Sequence, residues 1–455
     1  MKRYTFIFLI LICCLAYITS SIYCAPGFEL NLLGNKLSSE NLYAIHKDES
    51  IISRKFGISN HICSGVNIHF VKGHENELDM IAAAGFKFIR MDFHWDATER
   101  MKGNFTWTDY DELTTNLEKR GLHAIYILDY SNSLYEESVL SKDPITSKEQ
   151  KATASPKKHE SIAAFARWAA AAVEHYKNKN IIWEIWNEPN ISFWKPTPDV
   201  EQYNALAIAT CKAIKNTEPN AIIIGPGSAG IPFTFLEKFM ASDILKYLDA
   251  VSVHPYRNLK PETTDINYNK LEGLIKRFAP SSKKIPIISS ECGYSTSTNA
   301  NGVSLETQAA YIVRMQLINL LNGVPISIWY DWKNDGIDLN EREHNFGTVL
   351  PDLKEKLAYK AIQTMNLQLK DFSIISRLIT DNKNDYVLLF KNSKRIYKIV
   401  SWTIDEDHSI TIDNKILKKT TLKAINGMGN SIKVNKVIKN KIVLNLYALP
   451  EYIEI

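Results

Sequence analysis

The sequence has few cysteines and lacks the motifs that usually bind a metal ion or a nucleotide. Three of its six cysteines lie within the first 24 residues, so Cys63, Cys211 and Cys292 remain and allow at most one disulfide. No His-Glu-x-x-His motif or cysteine cluster occurs, and no Gly-rich phosphate loop follows the first apolar strand. The sequence therefore predicts no disulfide framework and implies no metal or cofactor.

Charge of one sign is also lacking. The chain has 54 Lys and Arg against 50 Asp and Glu, which gives a formal net charge of +4 over 455 residues. Charged residues make up 23% and hydrophobic residues 45%, as in an ordinary soluble globular protein. Because basic residues are spread along the chain and form no patch, nothing in the sequence indicates a nucleic-acid partner.

The first residues are typical of a secretory signal peptide. Two basic residues precede an apolar run over residues 6–18, which is too short for a membrane-spanning helix. We predict a signal over residues 1–24, cleaved between Ser20 and Ala25, and a secreted or extracytoplasmic protein. Lipidation at Cys24 and an uncleaved anchor are the alternatives, and only these imply a stable membrane partner.

The segment Ile181–Asn190 carries the strongest functional signal. It places Asn187 and Glu188 directly after a run of apolar and aromatic residues, as at the carboxyl end of a buried barrel strand. Pro189 lacks a backbone donor and ends the strand. Glu291 ends a second apolar strand in KKIPIISSECGY. Two glutamates on separate barrel strands match glycoside hydrolysis, which needs a proton donor and a nucleophile or base.

Short apolar strands alternate with amphipathic helices eight times from Cys63 onward. This alternation predicts right-handed βαβ units that close into an α/β fold, the (β/α)8 TIM barrel. The predicted strands are residues 64–70, 86–93, 123–129, 181–187, 221–225, 248–254, 285–291 and 325–331. A doubly wound open sheet is the alternative, and the missing Gly-rich loop disfavours it.

Beyond Asp371 the pattern changes to alternating segments separated by turns. This predicts a small C-terminal antiparallel β-sandwich. We predict an N-terminal segment over residues 25–62, with pairing to the β-domain as one option, a catalytic barrel over 63–367 and the sandwich over 370–455. We expect the sandwich to brace the barrel, and a carbohydrate-binding module is the alternative.

As a set, these motifs resemble the retaining (β/α)8 glycoside hydrolases that carry their two catalytic glutamates on strands four and seven. The resemblance covers residues 63–367 and rests on WNEP after strand four, the glutamate that ends strand seven and HPY after strand six. The stretch from SGVNIHF through MIAAAGFKFIRMDFHWDATER is similar to both cellulase-like family 5 and β-xylosidase-like family 39. The choice between these families stays open.

The resemblance implies that Glu188 is the acid/base and Glu291 the nucleophile. Arg90 and Tyr256 would hydrogen-bond Glu291, and Asn187 would bind the 2-hydroxyl of the sugar. Other strand-end residues are expected to contact the sugar, which would stack on a tryptophan of strand eight; they are His69, Asp92, Trp95, Asp129, His254 and that tryptophan, Trp329.

We therefore predict a secreted retaining O-glycoside hydrolase that cleaves β-glycosidic bonds in oligo- or polysaccharides. Its partner is a carbohydrate, and its chemistry needs no metal. Two alternatives are an inactive carbohydrate-binding protein on the same barrel and a glycosidase of the clan that acts on glycoconjugates. The long loops over residues 130–156 and 332–351 are expected to overhang the site and to set specificity.

Overall fold

A computed structural model describes residues 30–32, 35–37, 42–43, 45, 49–69, 73, 75–413, 422–433, 437–438 and 441–455. The predicted signal peptide, residues 1–24, lies outside this part of the chain. Among the helices that are described, none is long and apolar enough to cross a lipid bilayer.

Three short strands precede the barrel: β1 (Leu30–Leu32), β2 (Asn35–Leu37) and β3 (Leu42–Tyr43). β1 and β2 pair with each other in antiparallel orientation. β3 pairs with the first strand of the C-terminal domain through Leu42 and Tyr43. The N-terminal segment and the β-domain therefore share a sheet.

Eight parallel strands form a closed barrel, which confirms the predicted fold class. The ten strands of this region are β4 (Ser64–Asn67), β5 (Phe88–His94), β6 (His123–Asp129), β7 (Ser138–Lys142), β8 (Glu149–Thr153), β9 (Ile182–Ile185), β10 (Ile222–Ala229), β11 (Ala250–His254), β12 (Ile287–Cys292) and β13 (Ser327–Trp329). β7 and β8 form an antiparallel hairpin outside the barrel. The other eight follow chain order around it, and β13 pairs with β4 to close the ring.

Helices follow most barrel strands and pack outside them. Before the first barrel strand, α1 (Ile51–Phe56) packs through Ile52 against the core inside the barrel. The helices that follow are α2 (Glu75–Ala83), α3 (Trp95–Thr98), α4 (Thr108–Lys119), α5 (His159–His175), α6 (Val200–Thr217), α7 (Phe233–Ala241), α8 (Asp265–Phe278), α9 (Leu305–Leu321) and α10 (Leu357–Gln368). Two long helices begin at side-chain caps, because Asp199 accepts the amides of Glu201 and Gln202, and Ser304 accepts that of Thr307.

The barrel interior is filled by β-branched and aromatic side chains. Ile125, Ile182, Ile222 and Ile288 come from β6, β9, β10 and β12 and are fully buried in one cluster. This packing is typical of the layers inside a TIM barrel, where the interior is a core and no pore runs through it. Polar side chains therefore collect at the carboxyl ends of the strands, and we call that face the cleft.

The C-terminal region forms two antiparallel sheets. Its strands are β14 (Phe372–Leu378), β15 (Asp385–Asn392), β16 (Tyr397–Thr403), β17 (His408–Asp413), β18 (Lys423–Ile425), β19 (Ser431–Ile432), β20 (Val437–Ile438), β21 (Lys441–Leu446) and β22 (Glu451–Glu454). β14, β15, β16, β18, β19 and β22 form one sheet together with β3, and β17, β20 and β21 form the other. Val387, Leu389 and Ile399 pack against Ile442 and Leu444 to make the core between them.

A buried ion pair joins this domain to the barrel. Arg314 on α9 donates two hydrogen bonds of 2.7 Å to the carboxylate of Glu262. Trp402 on β16 donates its indole N–H to the same carboxylate at 2.8 Å. The apolar core also continues across the junction, since Trp402 and Phe390 belong to the same buried cluster as the outer faces of the barrel strands.

Candidate active site

The first glutamate reaches the cleft through an unusual turn at the end of β9. Trp186 and Glu188 have φ values of 66° and 47°, in the left-handed region that non-glycine residues rarely adopt. The amide of Glu188 donates to the carbonyl of Gly227 at 2.9 Å, which fixes this turn against β10. Backbone strain of this kind costs of order 1–3 kcal/mol per residue and is typical of functional sites.

The two glutamates and one histidine converge at the centre of the cleft. One carboxylate oxygen of Glu188, one of Glu291 and a ring nitrogen of His254 all lie within 4.8 Å of one another. The side chains of Glu188 and Glu291 are 12% and 13% exposed, whereas that of His254 is fully buried. A small molecule in the cleft can therefore touch both carboxylates. His254 lies beneath them, with its Nδ1 2.8 Å from Glu188 Oε1 and 3.9 Å from Glu291 Oε1.

Glu291 is held by two donors. The Tyr256 hydroxyl donates to its Oε1 at 2.8 Å, and Arg90 Nη1 donates to its Oε2 at 2.7 Å. Both contacts were expected from the sequence, and both favour an ionised, oriented carboxylate. The catalytic roles of these residues remain predictions.

Arg90 is the centre of a larger buried network. It is 1% exposed, and besides Glu291 it donates to Glu184 Oε2 at 2.6 Å and to the side-chain oxygens of Asn67 and Asn187. Burial opposes ionisation of Glu184, but the charge of Arg90 and the other polar groups around the carboxylate together outweigh it and lower its pKa below the usual value. Arg90 and Glu184 thus form a buried ion pair beneath the two glutamates.

The hydrogen on His254 follows from its neighbours. Arg90 Nη2 lies 3.1 Å from Nε2 of His254, and Glu188 Oε1 lies 2.8 Å from its Nδ1. A guanidinium only donates, so Nε2 must accept and Nδ1 carries the hydrogen given to Glu188. Glu188 Oε1 therefore accepts a hydrogen bond from His254.

Three residues of this site were missed at the sequence level. Glu184 reads as part of an apolar strand and Asn67 as a strand end, although both bind Arg90. Gly227 is needed because a Cβ there would lie 3.0 Å from the Glu184 carboxylate, at a φ of +57°. The signal for Glu184 was present in IIWEIWNEP, since a charge inside a buried strand requires a partner.

A second polar cluster lies at the ends of β4 and β13. His69, whose side chain is 54% exposed, contacts Asp331 at 3.2 Å and Asp335 at 3.6 Å. The bond to Asp331 raises the pKa of His69 to about 9, and burial raises the pKa of Asp331 to about 6. The three ligand atoms lie close enough to contact one cation, but the ion pair itself accounts for the arrangement.

Four predicted sugar contacts are corrected because the side chains are fully buried. His254 is one of them, and it contacts Glu188 instead. Trp95 begins α3 and donates its indole N–H to Glu99. Trp329 donates to the carbonyl of Phe346 and shows no face to the cleft. Asp129 is 0% exposed as well. Asp92, in contrast, keeps a side chain that is 33% exposed.

Aromatic side chains that do reach the cleft lie next to the predicted ones. Tyr330 follows Trp329, is partly exposed, and packs at 6.4 Å from the ring of Tyr256. Tyr130, on the other side, stacks on Phe193 with ring centres 5.8 Å apart. Tyr330 replaces Trp329 as the candidate stacking surface on the strand-eight side.

Comparisons with known proteins place these features in a family. Residues 54–336 match the family model described as cellulase, glycosyl hydrolase family 5. A curated β-xylosidase of Geobacillus stearothermophilus is 30% identical over 96 residues, which span 20% of this chain and 19% of that enzyme. The chain thus matches about a fifth of the length of this curated relative.

Solved structures show the same fold. A family 39 glycoside hydrolase from Bacteroides cellulosilyticus WH2 superposes with a TM-score of 0.71 at 24% identity, over 90% of this chain and 82% of that one. A family 39 β-xylosidase from Caulobacter crescentus gives a TM-score of 0.62 at 17% identity, over 91% and 98%. Both superpositions span about nine tenths of this chain, so they extend beyond the barrel.

Proposed function

The chain belongs to the cellulase family, glycosyl hydrolase family 5, and from that premise we propose that it hydrolyses β-glycosidic bonds with retention of configuration. The observation that carries the proposal is the approach of a Glu188 oxygen to a Glu291 oxygen within 4.8 Å. Retaining enzymes hold their carboxyl groups about 5–5.5 Å apart, whereas inverting enzymes leave about 6.5–9.5 Å for a water molecule.

The surroundings of the two glutamates support different roles. Glu291, bound by Arg90 and Tyr256, attacks the anomeric carbon and forms a glycosyl-enzyme. Glu188 gives its proton to the leaving oxygen as that bond breaks. It then takes a proton from water, whose oxygen attacks the anomeric carbon and releases Glu291. His254 positions Glu188 through Oε1 and leaves the other oxygen for proton transfer.

Product stereochemistry tests the mechanism. Hydrolysis of an aryl β-glycoside should first release the β-anomer, which proton NMR detects before mutarotation. A panel of glucoside, xyloside, mannoside and galactoside also identifies the sugar. Initial release of the α-anomer would overturn retention.

Two variants test the separate roles. Glu291→Ala should lose turnover on every substrate, and azide should restore part of it, because the small anion takes the place of the missing carboxylate. Azide then attacks the anomeric carbon, the bond to the leaving oxygen breaks, and the product is the α-glycosyl azide. Glu188→Ala should lose about 10²–10⁴-fold on poor leaving groups and much less on activated aryl groups. If both variants respond alike to azide and to leaving group, the roles are wrongly assigned.

We also propose that the protein acts outside the cytoplasm on a carbohydrate of its surroundings. The basic and apolar pattern of residues 1–24 supports this. N-terminal sequencing of the protein recovered from the extracytoplasmic fraction should give a first residue between 21 and 25. Recovery of the full-length chain in the cytosol would contradict export.

A further inference from the structure

Two aspartates lie side by side where the second and third barrel strands end. β5 and β6 pair so that His94 is opposite Asp129, and Asp92 lies two residues before His94. Asp129 is 0% exposed, whereas the side chain of Asp92 is 33% exposed. One carboxyl group is therefore buried, and the other is open to the cleft.

The buried carboxyl group has no donor of its own. Among the described residues, no donor forms a hydrogen bond with either carboxylate oxygen of Asp129. His94 Nδ1 lies 4.0 Å from Oδ1 of Asp129, beyond hydrogen-bond distance, and its Nε2 lies 3.9 Å from Oδ2 of Asp92, so the two carboxyl groups flank one imidazole ring. Two carboxyl groups bond to each other only when one carries a proton.

The charges around Asp129 do not favour its ionisation. Burial and the neighbouring Asp92 raise the pKa of Asp129 well above its usual value. Arg90 opposes this shift, but its hydrogen bonds go to Glu184 and Glu291. The titratable groups that act on Asp129 or lie beside it are Asp92, His94, Arg90, Glu184, Tyr110 and Tyr130.

We propose that Asp92 and Asp129 share one proton and together bind a hydroxyl group of the glycone, the sugar whose anomeric carbon faces Glu291. Asp129 donates to Asp92 as a positioning residue, and Asp92 accepts from the sugar hydroxyl. This inference rests on the proposed glycosidase function. Beyond that function, the inference says that Asp92 and Asp129, with one negative charge between them, recognise an uncharged hydroxyl group of the sugar.

The place of Asp92 in the cleft supports this role. It lies two residues beyond Arg90 on β5, so the two side chains point to the same face of that strand and Asp92 is next to the network that holds Glu291. A hydroxyl that donates to an ionised carboxylate forms a stronger bond than one between neutral groups.

Protein stability tests the shared proton without any need for activity. The folded protein keeps a proton on Asp129 that the unfolded chain releases above about pH 4, so wild-type stability falls as the pH rises. Asp129→Asn removes this dependence. The ratio of the wild-type unfolding constant to that of the variant should rise by up to about tenfold per pH unit between pH 4 and the folded pKa.

Urea unfolding at several pH values between 4 and 7 measures this ratio. Asp96→Asn, at a neighbouring exposed aspartate, serves as the control and should give a constant ratio. A constant ratio for Asp129→Asn as well would overturn the shared proton. This result is independent of whether the protein cleaves any glycoside.

Kinetics with deoxy sugars test the ligand. Asp92→Asn should lower kcat/KM for the preferred aryl glycoside by about 10- to 100-fold, the loss expected for one hydrogen bond to a charged group, mainly through KM. On the analogue that lacks the bound hydroxyl, wild type and Asp92→Asn should be equal. An unchanged penalty on the 3-, 4- and 6-deoxy glycosides would overturn the hydroxyl contact, whereas absence of wild-type turnover on all glycosides would instead count against the proposed function.

Discussion

At the scale of single residues, Arg90 explains how two glutamates close together keep separate environments. Its guanidinium bonds Glu291 directly and reaches Glu188 only through His254. The positive charge is shared with Glu184, whose carboxylate lies deeper in the barrel. A buried charge of this kind is tolerated because each partner compensates the other.

Replacing Glu184 by glutamine should therefore be costly although the shape is kept. The variant leaves Arg90 with Glu291 as its remaining carboxylate partner, and we expect a loss of about 3 kcal/mol in the free energy of unfolding together with a lower kcat. Urea unfolding and steady-state kinetics measure the two effects. Glu118→Gln breaks a surface pair with Lys179 and should cost less than about 1 kcal/mol. Equal losses in the two variants would show that the buried pair contributes no more to stability than the surface pair.

The sequence located the two glutamates, Tyr256 and Arg90, because each follows or ends a recognisable apolar strand. It erred by one residue at strand eight, where Trp329 was expected in the cleft and Tyr330 reaches it. Successive side chains of a strand point to opposite faces, so a single step decides between core and cleft. Neither the composition nor the spacing of ISIWYDW contains that information.

At the scale of elements, Lys356 links the loops that border the cleft. It precedes α10, is 7% exposed, and its Nζ contacts Thr296, Asn334 and the carbonyl of Asn345 at 3.2–3.3 Å. These acceptors come from the loops after β12 and β13. All three are neutral, and burial lowers the pKa of Lys356 to about 7.

The lowered pKa of Lys356 should make the free energy of unfolding depend on pH. Between about pH 7 and 10.5 the unfolded chain holds a proton that the folded protein has released, so wild-type stability rises with pH across that window. The stability of Lys356→Met relative to wild type should therefore be highest below pH 7 and should fall as the pH rises. Urea unfolding at pH 6, 8 and 9.5 measures the difference, with exposed Lys360→Met as the control. If the stability of the variant relative to wild type rose with pH, the pKa of Lys356 would not be lowered in the folded protein.

The observed strand boundaries show which strands the sequence pattern predicts correctly. The eight barrel strands lie where alternation placed them, because buried parallel strands are continuous apolar runs. β10 extends to Ala229, beyond the predicted end at residue 225, since Pro226 is accommodated at a register shift. The hairpin of β7 and β8 was expected as loop, because SVLSK and EQKAT are polar and mostly exposed.

At the scale of the whole molecule, the junction at Glu262 favours the brace interpretation of the C-terminal domain. Arg314 and Glu262 are each 3% exposed, and Trp402 reaches across to them from the sandwich. Since the core is continuous across the same junction, we expect barrel and sandwich to unfold together.

Trp402→Phe tests this coupling. It removes the donor to a buried carboxylate and should cost about 2 kcal/mol, while unfolding stays a single transition by fluorescence and circular dichroism. Tyr397→Phe, on the same strand but away from Glu262, should cost less than about 1 kcal/mol. Two separated transitions in the wild-type protein would contradict a shared core.

The pairing of β3 with β14 has a consequence for biosynthesis. Residues 42–43 leave the ribosome early, whereas their partners Arg377 and Leu378 follow more than 300 residues later. All eight barrel strands are made in the interval, so the barrel can close during translation before β14, the partner of β3, has been synthesised. The sheet that receives it is completed only after β22 has emerged, so this sheet is assembled from segments made before and after the barrel.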